Sequence, residues 1–129
     1  MVEISQEAQE SFNNPEAVRV VATVDEQGNP HAVPVGSLQF IGNDTFAFAV
    51  VALKKTKENL EKTKKVALLS FTMMPKPGGY KADGTFVRFE TEGELFDTFA
   101  RIMKEKLGFH ITHVGIIKAE SFEPLFPEA

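Results

Sequence analysis

Apolar residues along this chain fall into two kinds of run. One kind is short, rich in β-branched residues or phenylalanine, and bounded by turn residues; the other recurs at helical spacing between charges. AVRVVATV (residues 17–24) is of the first kind and is followed by the turn cluster DEQGNP. HAVPVGSLQFI (31–41) reads as a second strand closed by GND, and TFAFAVV (45–51) as a third. Two hairpins in a row predict an antiparallel meander. Pro34 and Gly36 are anomalies in this reading, because both are poor residues for a central strand. They predict an edge, a bulge, or backbone left free for a ligand.

Helical signals separate these strands. Residues 5–12 predict a short helix capped by Ser5 and ended by NNP. A second helix is predicted to begin near Thr56, with Leu60 at helical spacing from Lys57 and Lys64. VALLSF (66–71) follows as a buried strand, and MMPKPGGYKADGT (73–85), rich in Pro and Gly, as a mobile loop. FVRFETEGELF (86–96) alternates as a half-exposed strand, with Phe86, Arg88 and Glu90 on one face and Val87, Phe89 and Thr91 on the other. Asp97 or Thr98 is predicted to cap a third helix that Gly108 stops, and residues 110–125 form a last, long strand. About six strands with small helices between them predict a β-barrel with helical insertions. No repeat or linker divides residues 1–129, so one domain is expected.

Composition narrows the functions. Of 129 residues, 43% are apolar and 25% charged, the balance of a folded domain. A net charge of −4 provides no field for general nucleic-acid binding, so any anion site is local. The absence of cysteine excludes disulfides, thiolate chemistry and Cys-ligated zinc. The acidic start MVEISQEAQE lacks the apolar core of a signal peptide. No apolar run reaches the ~18 residues of a membrane span. A soluble cytoplasmic protein is therefore expected.

The most unusual charges are the lysines between Lys54 and Lys65. Lys62, Lys64 and Lys65 fall at the end of the second helix, where the dipole favours cations. Lys54, Lys55 and Lys57 fall at its start, where cations are disfavoured by roughly 0.3–1 kcal/mol each. A bound phosphate reverses that sign: free N–H groups, the Thr56 hydroxyl and one or two ammonium groups make an anion site. The residues alone leave two readings open, such a site or a solvated lysine face. Elsewhere the signals are structural. The glycine spacing of residues 79–85 lacks the lysine of a phosphate-binding loop and precedes a strand. His110 and His113, three apart on a strand, point to opposite faces, and no carboxylate completes a metal site with His31. Ser37 and Ser70 lack the setting of a nucleophilic serine. Of the twelve phenylalanines, Phe109 stands apart because it follows the helix-ending Gly108.

From about Val18 to Glu120 the chain resembles the FMN-binding split barrels, the family of pyridoxamine 5′-phosphate oxidase and the small bacterial FMN-binding proteins. The residues that carry the resemblance are HAVPVGSLQFIGNDTFAFAVVALKKTKENLEKTKKVALLSF, with Lys-Thr at a helix start, KENL after it and a buried strand beyond. The resemblance implies a mainly β fold, a six-stranded antiparallel split barrel of Greek-key connectivity with short helices, working as a homodimer with flavin at the subunit interface. It implies FMN as cofactor. Pro34, Val35, Gly36 and Ser37 would face the ring with their backbone, and Val50, Val51 and Ala52 would line its other border. Lys55 and Thr56 would grip the phosphate with Lys54 and Asn59 in support, and Phe109 would cover exposed ring surface. The arginine that the oxidases carry at the start of the ring-facing strand is absent, with His31 nearby, and SFEPLFPEA lacks their substrate-binding arginine and histidine. Oxidation of the vitamin is therefore not expected. The expectation is an FMN flavoprotein that transfers electrons or reduces a small substrate, with an unassigned redox partner. The alternative is a split-barrel binding or assembly module that has lost flavin or takes a deazaflavin. A single-stranded nucleic-acid-binding barrel is disfavoured by the acidic balance and the lack of tryptophan.

Overall fold

Alternating burial along β1 (Val18–Val24) places Arg19, Val21 and Thr23 on one face, as the period of two requires. The computed structural model describes residues 3–126. In it β1 pairs with β2 (Pro30–Pro34), and β3 (Gln39–Gly42) with β4 (Thr45–Val50), as two hairpins. The remaining strands are β5 (Lys65–Thr72), β6 (Gly78–Glu90) and β7 (His113–Pro124). All pairs are antiparallel in one seven-stranded sheet of order β2-β1-β5-β6-β7-β4-β3.

This corrects two expectations. The two hairpins do not form a continuous meander; they occupy opposite ends of the sheet. The strand expected over residues 31–41 is also divided, giving seven strands rather than six. At Val35–Leu38 the chain leaves the ladder in a turn, with the Leu38 N–H donating to Val35 O at 3.3 Å and the Val35 N–H to Arg19 O at 2.8 Å. Pro34 sits on the edge strand opposite Val20, where its missing N–H is tolerated, and the chain turns away only after the Val35–Arg19 bond. Because four residues join the two terminal strands, the sheet must curl so that its ends approach. That arrangement is consistent with a split barrel.

The region expected as a mobile loop is largely strand. β6 pairs with β5 from Lys65↔Thr85 to Thr72↔Gly78, leaving only residues 73–77 as the connection. Gly79 and Gly84 mark close strand approach rather than flexibility. A Cβ on Gly84 would lie 2.6 Å from Lys118 O. The expected alternation over residues 86–96 fails at a bulge, where Phe86 faces Ile117 and Arg88 faces Ile116. Val87 is the extra, exposed residue, and the Phe86 and Phe89 rings come 4.6 Å apart.

α1 (Gln6–Asn13) begins as expected, with the Ser5 hydroxyl accepting from the Ala8 N–H at 3.2 Å. It buries Ala8 and Phe12 in the main core beside Phe46, Leu60, Leu68 and Ile117. A fully buried phenylalanine of this kind contributes roughly 1.5–3 kcal/mol. α3 (Glu94–Leu107) starts earlier than expected: Gly93, with no side-chain cap bond, precedes it, and Asp97 lies within its first turn. Gly108 ends it in the left-handed conformation at φ 72°, as the sequence indicates. Phe99 of α3 packs with Ala47, Ala49, Val114 and Ile116 in a second cluster outside β4 and β7. Among the described residues no helix is long and apolar enough to cross a membrane.

Candidate functional site

The site forms where β4 gives way to α2 (Lys54–Thr63). Ala52 makes the turn with φ 52°, a left-handed conformation that costs a residue bearing a Cβ about 1–2 kcal/mol. Such strain is held where the surrounding structure fixes the chain direction. The first helical bond is Lys57 N–H to Leu53 O at 2.9 Å, so the N–H groups of Lys54, Lys55 and Thr56 point beyond the helix without intrahelical acceptors. Leu53 offers no side-chain cap and the first turn holds no acid. Thr56 is 1% exposed, and its hydroxyl oxygen has no hydrogen-bond partner among the described residues. A buried hydroxyl left unpaired costs about 1–3 kcal/mol. The helix start is thus positive, uncapped and lined by an unmet hydroxyl.

The charges nearby are partly compensated by other groups. Lys54 and Lys55 are exposed, with Lys55 Nζ 3.6 Å from Asp25 Oδ2 in the β1–β2 turn. Asp25 is held by that turn: its carboxylate accepts from the N–H groups of Asn29 and Gln27, both at 2.9 Å. The Asn29 backbone bond is the leading cause that pulls the Asp25 pKa below its ordinary value, with Lys55 adding to it. Lys57 turns away, 5.8 Å from the Phe89 ring centroid and 3.9 Å from Glu61. At the other end, Lys62 pairs with Glu26 at 3.6 Å and Lys64 lies 5.6 Å from the Phe86 ring centroid. Asn59, grouped by sequence with the phosphate residues, is buried and donates to Thr23 Oγ1 at 3.0 Å, fixing α2 on β1.

Beside the helix start lies a cleft of about 330 Å³. Pro34, Val35, Gly36 and Ser37 form one wall, and Ala49, Val51 and Leu53 continue it. Met103, Leu107 and Phe109 close it from the end of α3. The N–H groups of Gly36 and Ser37 lie outside the ladder, in the turn between β2 and β3. Ser37 Oγ accepts from the Ala49 N–H at 2.8 Å, tying the turn to β4. Leu53, the residue before α2, lines this cleft, so the helix start and the cleft adjoin.

The cleft lining therefore brings together Pro34–Ser37, Val51 and Phe109; Lys54, Lys55 and Thr56 do not line it but directly follow Leu53, which does. Val50 instead sits in the main core at 3% exposure, and Ala52 shapes the turn without lining the cleft. Ala49, Leu53, Met103 and Leu107 are lining residues that sequence reasoning missed. Their signal was present in part, since Phe99, Met103 and Leu107 recur at intervals of four, but that stripe reads equally as core. His110 lies before β7 rather than within it, and His113 begins that strand with Nδ1 2.8 Å from Thr112 Oγ1. Among the described residues no group of three or more histidines or acids is placed to hold a metal ion.

Fold and cleft define the class: a curled antiparallel domain, consistent with a split barrel, carrying a ligand-sized cleft beside an uncapped helix start. Comparison with known proteins names the family. The family model described as pyridoxamine 5′-phosphate oxidase matches residues 4–124, and the chain belongs to this family. Among solved structures, an FMN-binding protein from Syntrophomonas wolfei superposes with a TM-score of 0.87 at 20% identity, over 96% of this chain and 87% of that one. HupZ of Group A Streptococcus gives 0.82 at 28% identity, over 98% and 97%. HutZ, the heme storage protein of Vibrio cholerae, gives 0.63 at 16%, over 95% and 94%. No match is found among curated proteins.

Proposed function

We propose that this chain is an FMN-binding flavoprotein, acting as a homodimer, that transfers electrons or reduces a small substrate. The observation that carries the reading is the start of α2: three outward N–H groups, two lysines of which Lys55 is paired with Asp25, no acid in the first turn, and the buried, unpartnered Thr56 hydroxyl. A phosphate satisfies all of these at once, since it brings negative charge to a positive helix end and acceptors to every unmet donor. The family includes flavin binders, and the S. wolfei protein is described as FMN-binding.

Lys54, Lys55 and Thr56 would hold the phosphate of FMN. The backbone of Gly36 and Ser37 would meet the polar edge of the ring, and Val51, Leu53 and Phe109 would cover its apolar surface. Bound FMN supplies the hydride and electron chemistry. The chain's part is to fix orientation and exclude water: the cleft walls are mostly apolar, and no carboxylate or imidazole lines them. That lining favours electron or hydride exchange over chemistry that needs a proton relay.

The test is the visible spectrum of the purified protein, with mass identification of any released chromophore. Flavin absorption and released FMN are expected. A deazaflavin, a heme band, or a colourless protein that fails to take up added FMN would each overturn the reading.

A further inference from the structure

A second, larger cleft of about 490 Å³ adjoins the first and shares Gly36, Ser37, Met103 and Leu107 with it. Its distinctive residues are Arg19, Gln39 and Lys106, facing the apolar Phe99 and Ile102. Two of the lining residues are cations and none is an acid. Arg19 is only 9% exposed, yet among the described residues it forms no ion pair. One of its nitrogens, Nη1, donates to the carbonyls of Phe12 at 3.3 Å and Leu38 at 2.9 Å, while Nε has no partner. Carbonyl dipoles alone are a poor counterweight for a buried charge, which proteins ordinarily pair. Lys106 also forms no ion pair among the described residues. The Ser37 hydroxyl, which accepts from Ala49, keeps its own proton to donate.

We infer that this second cleft binds a small organic carboxylate with an apolar body, its charge toward Arg19 and Lys106 and its body against Phe99, Ile102 and Met103. A volume of this size suits a small molecule, and a guanidinium and an amide lining one cleft suit a carboxylate. Burial lowers the Arg19 pKa from its ordinary value, but an arginine keeps its charge throughout the physiological range. Binding of the anion stands on this cleft alone. Its role as substrate or acceptor rests on the flavin reading of the neighbouring cleft.

The experiment titrates the purified protein with benzoate and, separately, with its neutral isostere benzamide, followed by NMR of the Arg19 Nε–H, the Gln39 amide and the Met103 methyl. Benzoate is expected to saturate and shift all three signals, with benzamide binding at least tenfold more weakly. Lys106→Ala, an exposed change that leaves packing intact, is expected to weaken benzoate by roughly two- to fivefold, the scale of one screened charge contact. Arg19→Met is expected to abolish binding; should it fail to fold, the Lys106 variant still decides. Equal affinity for benzamide, shifts confined to other regions, or unchanged affinity in Lys106→Ala would overturn the proposal. Saturable benzoate binding by a protein that takes up no FMN would keep this site and remove the flavin reading. FMN uptake without benzoate binding would do the reverse.

Discussion

At the scale of single residues, Thr56 and Asp25 give opposite views of one site. The Thr56 hydroxyl is buried without a partner. Thr56→Val keeps the shape and removes the unmet group, so two effects of opposite sign follow. The ligand-free protein is expected to gain about 1 kcal/mol in denaturant unfolding, and FMN is expected to bind more weakly. A loss of stability without ligand would show that the hydroxyl has a protein partner after all. Lys55→Ala with Thr56→Ala is expected to weaken FMN by roughly 2–5 kcal/mol, as loss of two charge-assisted contacts would. Unchanged affinity in a fluorescence titration would remove both residues from the site. Asp25 titrates below an ordinary aspartate, chiefly through the Asn29 N–H. Because its folded pKa is depressed, its stabilising contribution is fully present above the unfolded value of about 3.9 and is lost as pH falls through the folded value. Carboxyl NMR is expected to place its midpoint below that of a free aspartate, with the β1–β2 turn loosening and Lys55 released in the same window. A midpoint at or above the ordinary value would contradict this.

At the scale of elements, the sequence was most informative where the signal was local. The Ser5 cap, the Gly108 stop and the β-branched strands could be read because each depends on a few adjacent residues. Pro34 and Gly36 marked the right place to interrupt a strand, but the separation of β2 from β3 across the sheet is set by distant partners. The glycines of residues 79–85 suggested a loop because neighbouring strands need their missing side chains, β5 at Gly79 and the distant β7 at Gly84. The walls of the cleft divide along the same line. Pro34–Ser37 stood out through local misfit, as did Lys54–Thr56 at the adjoining helix start, whereas Met103 and Leu107 belong to the cleft only through the docking of α3. Gly84 turns this into a prediction. A Cβ there meets Lys118 O at 2.6 Å and a methyl of Ile117 at 2.9 Å, and backbone cannot swing aside as a side-chain tip can. Gly84→Ala is expected to lower stability by about 1–3 kcal/mol in urea unfolding, as overpacking does. A neutral result would mean that β6 and β7 separate more easily than their paired register implies.

At the scale of the whole molecule, the Val35–Leu38 turn joins the two terminal strands of the sheet, and both clefts are lined by that turn and by the last turns of α3. The rim of the first cleft carries exposed apolar residues: Leu107 is 59% exposed and Phe109 49%. Two large apolar side chains side by side at the mouth of a ligand cleft favour a second copy of the chain as their cover. If a second copy completes the flavin site, dimerisation and FMN binding are linked, and each must strengthen the other by the same factor. FMN affinity is then expected to fall as the protein is diluted through its dimer–monomer transition, and added FMN to shift light-scattering mass toward the dimer. Leu107→Lys with Phe109→Ser is expected to lower both dimer formation and FMN affinity. Dimer formation lost with FMN affinity intact would place the flavin wholly within one chain, and a concentration-independent monomer that binds FMN would remove the second copy from the site.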